Sequence, residues 1–194
     1  QRLLSCSEAL GGTLAAADLR EYRAEPVTPL TTDYRGWTVF ELPPNGQGIA
    51  AQMALGMLQQ FDLAALPVDG TSSLHLQIEA MKLAFADVYR FVADPAAMQV
   101  TPAELLDPAY LASRAKMIAM KRTQEHKAGA PRAGGTIYLT AADEAGMMVS
   151  FIQSNYMGFG SGVVVPGTGI SLQNRGAGFS LAAGHPNLVA PRKR

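Results

Sequence analysis

The mix of apolar and polar residues over 2–10 can be helical and stops at Gly11 and Gly12, after which Thr13 is placed to cap a short helix reaching Tyr22. At 37–42 the pattern changes to alternation of aromatic and β-branched residues, which predicts a strand closed by Pro43 and Pro44 and followed by an Asn-Gly-Gln-Gly turn at 45–48. Ile49, Met53, Met57 and Phe61, with Ala54 and Leu58 beside them, then form one stripe of a core-facing helix. Leu74, Ile78, Met81, Phe85 and Val88 make a second ladder behind Ser73, with polar Gln77, Lys82 and Asp87 between its rungs. Thr101 and Glu104 form a capping box around Pro102, and Asp107-Pro108 restarts a helix carrying Tyr110, Leu111 and Met117.

The pattern breaks at 126–135, His-Lys-Ala-Gly-Ala-Pro-Arg-Ala-Gly-Gly, which is rich in Gly, Pro and Ala and reads as an exposed linker. Beyond it, residues 136–142 and 147–153 are extended and flank a four-residue turn at 143–146, the pattern of a β-hairpin. The Gly-rich stretch 158–169 reads as a loop joining strands, and no repeat of fixed period is present. The first two-thirds is therefore expected to be helical and the last third β-rich, an α/β (α+β) make-up.

Composition narrows the function classes. Hydrophobic residues are 48% of the 194 and charged ones 16%, a balance that supports a folded core. Sixteen basic residues balance sixteen acidic ones, so no positive field favours nucleic acid or a membrane surface as partner. Cys6 is the sole cysteine, and His75, His126 and His185 show no metal-ligand spacing, so no metal and no cofactor is expected. Neither an uninterrupted apolar run of about eighteen residues nor a basic-apolar-small leader occurs, which leaves a soluble protein of cytoplasm or periplasm as the expectation. The start at Gln1 and the basic end at 192–194 are those expected of a cut piece.

A threonine that follows a Gly-rich linker and opens a strand, as Thr136 does after Gly135, can act as a nucleophile once the bond before it is cut. Its own α-amino group, with an ordinary pKa of about 7.7 to 8.0, can accept the hydroxyl proton. Alone, the same residues describe a simple turn before a strand. The stretch SNYMGFGSGVVVPGTGISLQNRGAGFSL, from Ser154 to Leu181, goes further, for it resembles the small-subunit core of the gamma-glutamyltranspeptidases and their acylase-like relatives. The likeness extends upstream through Gly12 with Asp18 and Leu19, through Pro43 and Pro44 with their glycine turn, and through EAMKLAFAD from Glu79 to Asp87, covering essentially the whole chain.

The resemblance implies part of a four-layer αββα N-terminal-nucleophile hydrolase fold and autoprocessing at Gly135-Thr136. Residues 1–125 would be the end of a helical large-subunit region, 126–135 the processing linker, and 136–194 the start of the small subunit. Aligning Gly146 on the family's turn glycine puts Thr136 on its nucleophile, and Ser154 falls where the family has a hydroxyl beside the freed amino group. The oxyanion donors and a carboxylate-gripping arginine of the family are expected outside these residues. Tyr156, Arg175 and Gly178 stand where classical transpeptidases have Asn, Gln and Asp around the glutamyl α-amino and α-carboxylate groups. The implied partners are a gamma-glutamyl or similar acyl amide, glutathione among them, and the protein's own large and small subunits after processing.

Other readings remain open at this point. Ser154 can serve a loop amide, Tyr156 can anchor a loop, and Arg175 can be a solvated charge. Residues 158–162, Gly-Phe-Gly-Ser-Gly, lack the Lys-Ser/Thr of a phosphate loop, and the methionines at 53, 57, 81, 117, 147 and 148 read mainly as apolar packing. Alternatives to gamma-glutamyl transfer are an oxamate or glutaryl amide hydrolase of the same family, or a family-derived domain that packs without turning over.

Overall fold

The structure is a computed structural model and describes residues 1–126 and 136–193. The described residues divide into two compact units, one of 1–25 with 136–179, the other of 26–126 with 180–193.

In the second unit, β1 (Leu30–Tyr34) pairs antiparallel with β2 (Trp37–Glu41), Tyr34 facing Trp37 across the turn at Arg35 and Gly36. Helix α3 (Ile49–Leu58) follows, then α4 (Thr71–Phe91), the short α5 (Pro102–Leu105) and α6 (Pro108–Ala115). The capping box at Thr101 forms as the sequence predicts: its hydroxyl accepts from Glu104 N at 3.2 Å, and Glu104 returns a carboxylate to Thr101 N at 2.6 Å. Asp107 caps α6 through Tyr110 N at 2.8 Å.

Helix α3 is buried almost all round, with Ile49, Met53 and Met57 fully enclosed and α4 and α6 packed on it. Gln52, at the heart of this packing, donates to the carbonyls of Leu30 at 3.0 Å and Val39 at 3.1 Å, holding both strands of the hairpin to the helix. On α4 the buried stripe is Leu76, Ala80, Leu83, Ala84 and Val88, whereas Leu74 and Ile78 of the expected ladder are exposed. Small residues explain the shift: Ala80 and Ala84 let α3 approach closely, and the bulkier rungs are turned aside. The strand β1 carried no clear alternation and is found only in the structure.

In the first unit, α1 (Arg2–Ala9) precedes α2 (Ala16–Glu21), which starts at Ala15, whose N–H is bonded by the Asp18 carboxylate at 2.7 Å, and not at a Thr13 cap. The hairpin of β3 (Thr136–Ala142) and β4 (Met148–Ser154) is as expected to within a residue. Asp143 builds its turn by accepting from Ala145 N and Met147 N at 3.0 and 2.9 Å, and Gly146 takes the left-handed conformation at φ +82°. The Gly-rich stretch contains two short paired strands, β5 (Val164–Val165) and β6 (Ile170–Ser171). Met53 and Met57 are core residues and Met81 packs against the core, but Met117, beyond the end of α6, and Met147 and Met148 are exposed, so the apolar-packing reading holds for the methionines of α3 and α4 only.

Leu83 is fully buried where α4 meets α3. Leu83→Ala is expected to lower stability by about 2 to 5 kcal/mol through the cavity it leaves, measured as the shift in urea midpoint at unchanged slope.

Candidate functional site

The hairpin register brings the first residue of β3 to the last of β4: Thr136 and Ser154 are direct partners. An antiparallel pair holds opposed Cα atoms about 4.5 to 5.5 Å apart, so backbone geometry alone sets these two residues side by side. Gly135 lies outside the described residues.

Past Ser154 the chain turns sharply. Tyr156 adopts φ +80°, a left-handed conformation uncommon for a residue with a side chain, and its N–H donates to Ser154 Oγ at 2.9 Å. The loop is stapled to the segment before Arg175 by two asparagines. Asn174 N donates to the Asn155 carbonyl at 3.2 Å, and Asn174 Oδ1 accepts from Met157 N at 3.0 Å. Nearby, Ser161 N bonds the Leu172 carbonyl and Leu172 N bonds the Val163 carbonyl, each at 2.9 Å. Gly160 fits here because a Cβ at that position would stand 2.5 Å from the Leu172 carbonyl.

Arg175 and Gly178 bound a single 3-10 turn, Arg175–Gly178, which begins with the Arg175 N–H bonded to the Gln173 side chain and closes with Phe179 N on the Gly176 carbonyl at 3.2 Å. A side chain at 178 would meet nothing within 4 Å. The fold thus brings Thr136 beside Ser154, ties Ser154 to Tyr156, and ties the Tyr156 loop to the Arg175 turn. Asn155 and Asn174 do the tying. They were not singled out from sequence, although each flanks a candidate residue, and asparagine is a common loop-fixing residue.

Two cavities among the described residues are lined by other side chains. One, of about 780 Å³, is bordered by Arg2, Cys6 and Leu10 of the α1 region and by Val163, Val164 and Pro166. The other, of about 510 Å³, belongs to the helical unit and is bordered by Asp87, Arg90, Arg114, His126 and His185. Within it the Asp87 carboxylate receives Arg114 Nε at 3.0 Å, the second guanidinium nitrogen at 2.9 Å, and the Tyr110 hydroxyl at 2.8 Å. Burial pushes Asp87 up from the ordinary carboxylate value against the pull of Tyr110 and Arg114, and burial with the Asp87 bond pushes the Tyr110 phenol up to about 12.

A second carboxylate, Glu79 on α4, is 1% exposed. It meets Lys82 Nζ at 2.6 Å, Thr123 Oγ1 at 3.0 Å, Gln124 N at 3.3 Å and His126 Nε2 at 3.4 Å. Burial alone would raise its pKa, but the hydrogen bonds from Lys82, Thr123 and Gln124 together hold it below the ordinary value. Among the described residues no cluster of three or more His, Cys, Asp or Glu could hold a metal, and no helix is long and apolar enough to cross a membrane.

Comparison with known proteins adds family context. The family model described as gamma-glutamyltranspeptidase matches residues 1–194. The glutathione hydrolase-like YwrD proenzyme of Bacillus subtilis is 36% identical over 194 residues, spanning 100% of this chain and 37% of that protein. The oxamate amidohydrolase proenzyme of Klebsiella pneumoniae is 37% identical over 199 residues, 100% of this chain and 36% of its own length. A crystal structure of cephalosporin acylase from Bacillus halodurans superposes with a TM-score of 0.84 at 47% identity, covering 100% of this chain and 35% of that one. The chain spans about a third of the length of these relatives, and its mixed α/β fold matches that of N-terminal-nucleophile hydrolases in the family.

Asn174→Ala removes the acceptor of the Met157 amide and is expected to loosen the loop by about 1 kcal/mol. Hydrogen exchange at Met157 should then quicken about fivefold, with the amides of α3 unchanged.

Proposed function

The chain belongs to the gamma-glutamyltranspeptidase family, and from that premise we propose that it carries the processing site and nucleophile of an N-terminal-nucleophile acyltransferase or amidohydrolase. Residues 1–125 are read as the end of the large subunit, 126–135 as the processing linker and 136–194 as the start of the small subunit. The observation that carries the reading is the β3–β4 register, which pairs Thr136 with Ser154 at the head of the Tyr156 loop.

In the proposed chemistry Thr136 Oγ attacks the Gly135 carbonyl carbon. The new C–O bond replaces the C–N bond, the amide nitrogen takes a proton, and water hydrolyses the ester, leaving a Gly135 carboxylate and a free Thr136 amino group and hydroxyl. That amino group then serves as base while the hydroxyl attacks a substrate amide, the leaving amine departs protonated, and water or a second amine accepts the acyl group. Ser154 is the hydroxyl partner beside the freed amino group. Each compact unit contains residues from both sides of the proposed cut, 1–25 with 136–179 and 26–126 with 180–193. Such interleaving supports two product chains that stay together without a peptide bond.

For the acyl group, Tyr156, Arg175 and Gly178 favour a carboxylate without an α-amine. Arg175 supplies a cation that pairs with a carboxylate and repels an ammonium. Gly178 supplies no carboxylate of its own for an ammonium, and burying one unpaired costs several kcal/mol. Oxamate, named in one relative, is an amide with a carboxylate and no amine, and a glutaryl amide has the same character.

Protein expressed from its complete reading frame should split into two chains at Gly135-Thr136, and Thr136→Ala should remain one chain, as read by intact-mass spectrometry. A wild-type chain still whole after prolonged incubation sinks the reading in favour of a non-catalytic family domain.

The processed enzyme should show a higher kcat/KM for a glutaryl anilide than for its gamma-glutamyl counterpart. Gly178→Asp, for which the turn has room, should shift the ratio toward the gamma-glutamyl compound by tenfold or more, about 1.4 kcal/mol. A wild-type preference for gamma-glutamyl of that size contradicts the pocket assignment.

A further inference from the structure

A single asparagine holds the main chain on both sides of a strained residue. Tyr156 carries its side chain at φ +80°, a conformation that persists only where the surroundings over-determine it. The Asn155 carbonyl, immediately before Tyr156, accepts from Asn174 N at 3.2 Å, and the Met157 N–H, immediately after it, donates to Asn174 Oδ1 at 3.0 Å. The Tyr156 N–H between them is taken by Ser154 Oγ at 2.9 Å. Three successive main-chain groups around Tyr156 are therefore bonded, two of them by one partner from a distant turn of the chain. A backbone amide can only donate, so the atom of Asn174 that faces Met157 is the side-chain oxygen, and the orientation of that side chain is fixed by its partner.

Asn174 is also the residue before Arg175, whose own N–H is bonded to the Gln173 side chain at the start of the 3-10 turn. The clamp thus joins the backbone that carries Tyr156 to the backbone that carries Arg175. None of residues 154–160 or 171–178 is buried, so apolar packing does little to fix either segment and the hydrogen bonds carry most of that task.

We propose that Asn174 is a specificity-determining positioning residue: by clamping the main chain on either side of Tyr156 and leading directly into Arg175, it fixes the two side chains that select the acyl group. The proposal deepens the acyl-group reading above and rests on it. Asn174 acts here without touching substrate. A guanidinium pairs with a carboxylate and repels an ammonium only while it is held at the site, and one free to turn outward does neither. Releasing the clamp should cost a carboxylate-only acyl group its contact and relieve an α-ammonium of its repulsion, so the two substrates should diverge in opposite directions. A purely structural role would lower both together.

The test uses the processed enzyme from the complete reading frame. Asn174→Ala keeps the backbone N–H and removes only the Oδ1 bond, a net loss of about fivefold in an equilibrium. The ratio of kcat/KM for the glutaryl anilide to that for the gamma-glutamyl anilide should fall by about that factor or more, with the glutaryl loss in KM and kcat near wild type, the pattern of a lost binding contact. An unchanged ratio, including an equal fall for both substrates, overturns the positioning role. A second measurement needs no variant. A clamp that strengthens acyl-group binding by about fivefold must itself be strengthened by about the same factor on binding. Saturating glutarate should therefore slow hydrogen exchange at the Met157 amide of the wild-type enzyme about fivefold, with the amides of α3 unchanged. Glutarate that inhibits anilide hydrolysis competitively and leaves Met157 exchange as it was overturns the proposal even where Asn174→Ala does not fold. Failure of the acyl-group reading looks different, and takes this proposal with it: glutarate does not compete, and the wild-type enzyme already prefers the gamma-glutamyl anilide.

Discussion

The close approach of α3 to α4 is the contact on which the helical unit depends. Ala50 and Ala54 on one helix and Ala80 and Ala84 on the other are all at most 3% exposed, and small side chains allow two packed helices to approach closely. Met53 and Met57 from α3 and Leu76 and Leu83 from α4 are buried in the same core cluster. The hairpin β1–β2 follows from the same contact, since Gln52 can reach both of its strands only when α3 is held in place. So does the α6 attachment, where Arg114 and Tyr110 converge on Asp87 one face further round α4. One helix thus carries two acidic residues inward, Glu79 and Asp87, each consumed by a different incoming segment.

Much of this was legible in the sequence, and the parts that were not have physical causes. The helix at 49–58, the capping box at Thr101, the Asp107 cap and the hairpin around 143–146 are written in local chemistry, where residue type and position act within a turn of chain. The buried face of α4 is different, because that helix is apolar on more than one side and the choice belongs to its neighbour. Counting large residues selected Leu74 and Ile78, but the packing selected the alanines. β1, Leu-Thr-Thr-Asp-Tyr, is identified by its pairing with β2 and by the Gln52 bond, contacts that sequence spacing does not reveal.

For the candidate site the division falls similarly. Thr136 and Ser154 emerge from the linker, the strand and the family resemblance, whereas their direct pairing depends on a register one residue off the expected four-residue turn. Tyr156, Arg175 and Gly178 stand out only as departures from a family pattern. The asparagines that join their segments, and the surroundings of Glu79, depend on contacts between residues far apart in the chain. Sequence alone reads Glu79 as one polar position of an amphipathic helix.

The β3–β4 hairpin has a practical consequence of its own. Tyr138, Leu139, Val149, Phe151 and Ile152 are each at least half exposed, and neighbouring positions along a strand point to opposite faces, so both faces of the ribbon are greasy. Among the described residues no third strand pairs with it. Ribbons of this kind, with unsatisfied edges, recruit further strands from other molecules, and a formal net charge of zero at pH 7 supplies no repulsion between molecules to slow them. In concentrated solution near neutral pH the chain on its own is therefore a colloidally fragile species, better handled dilute and away from its isoelectric point.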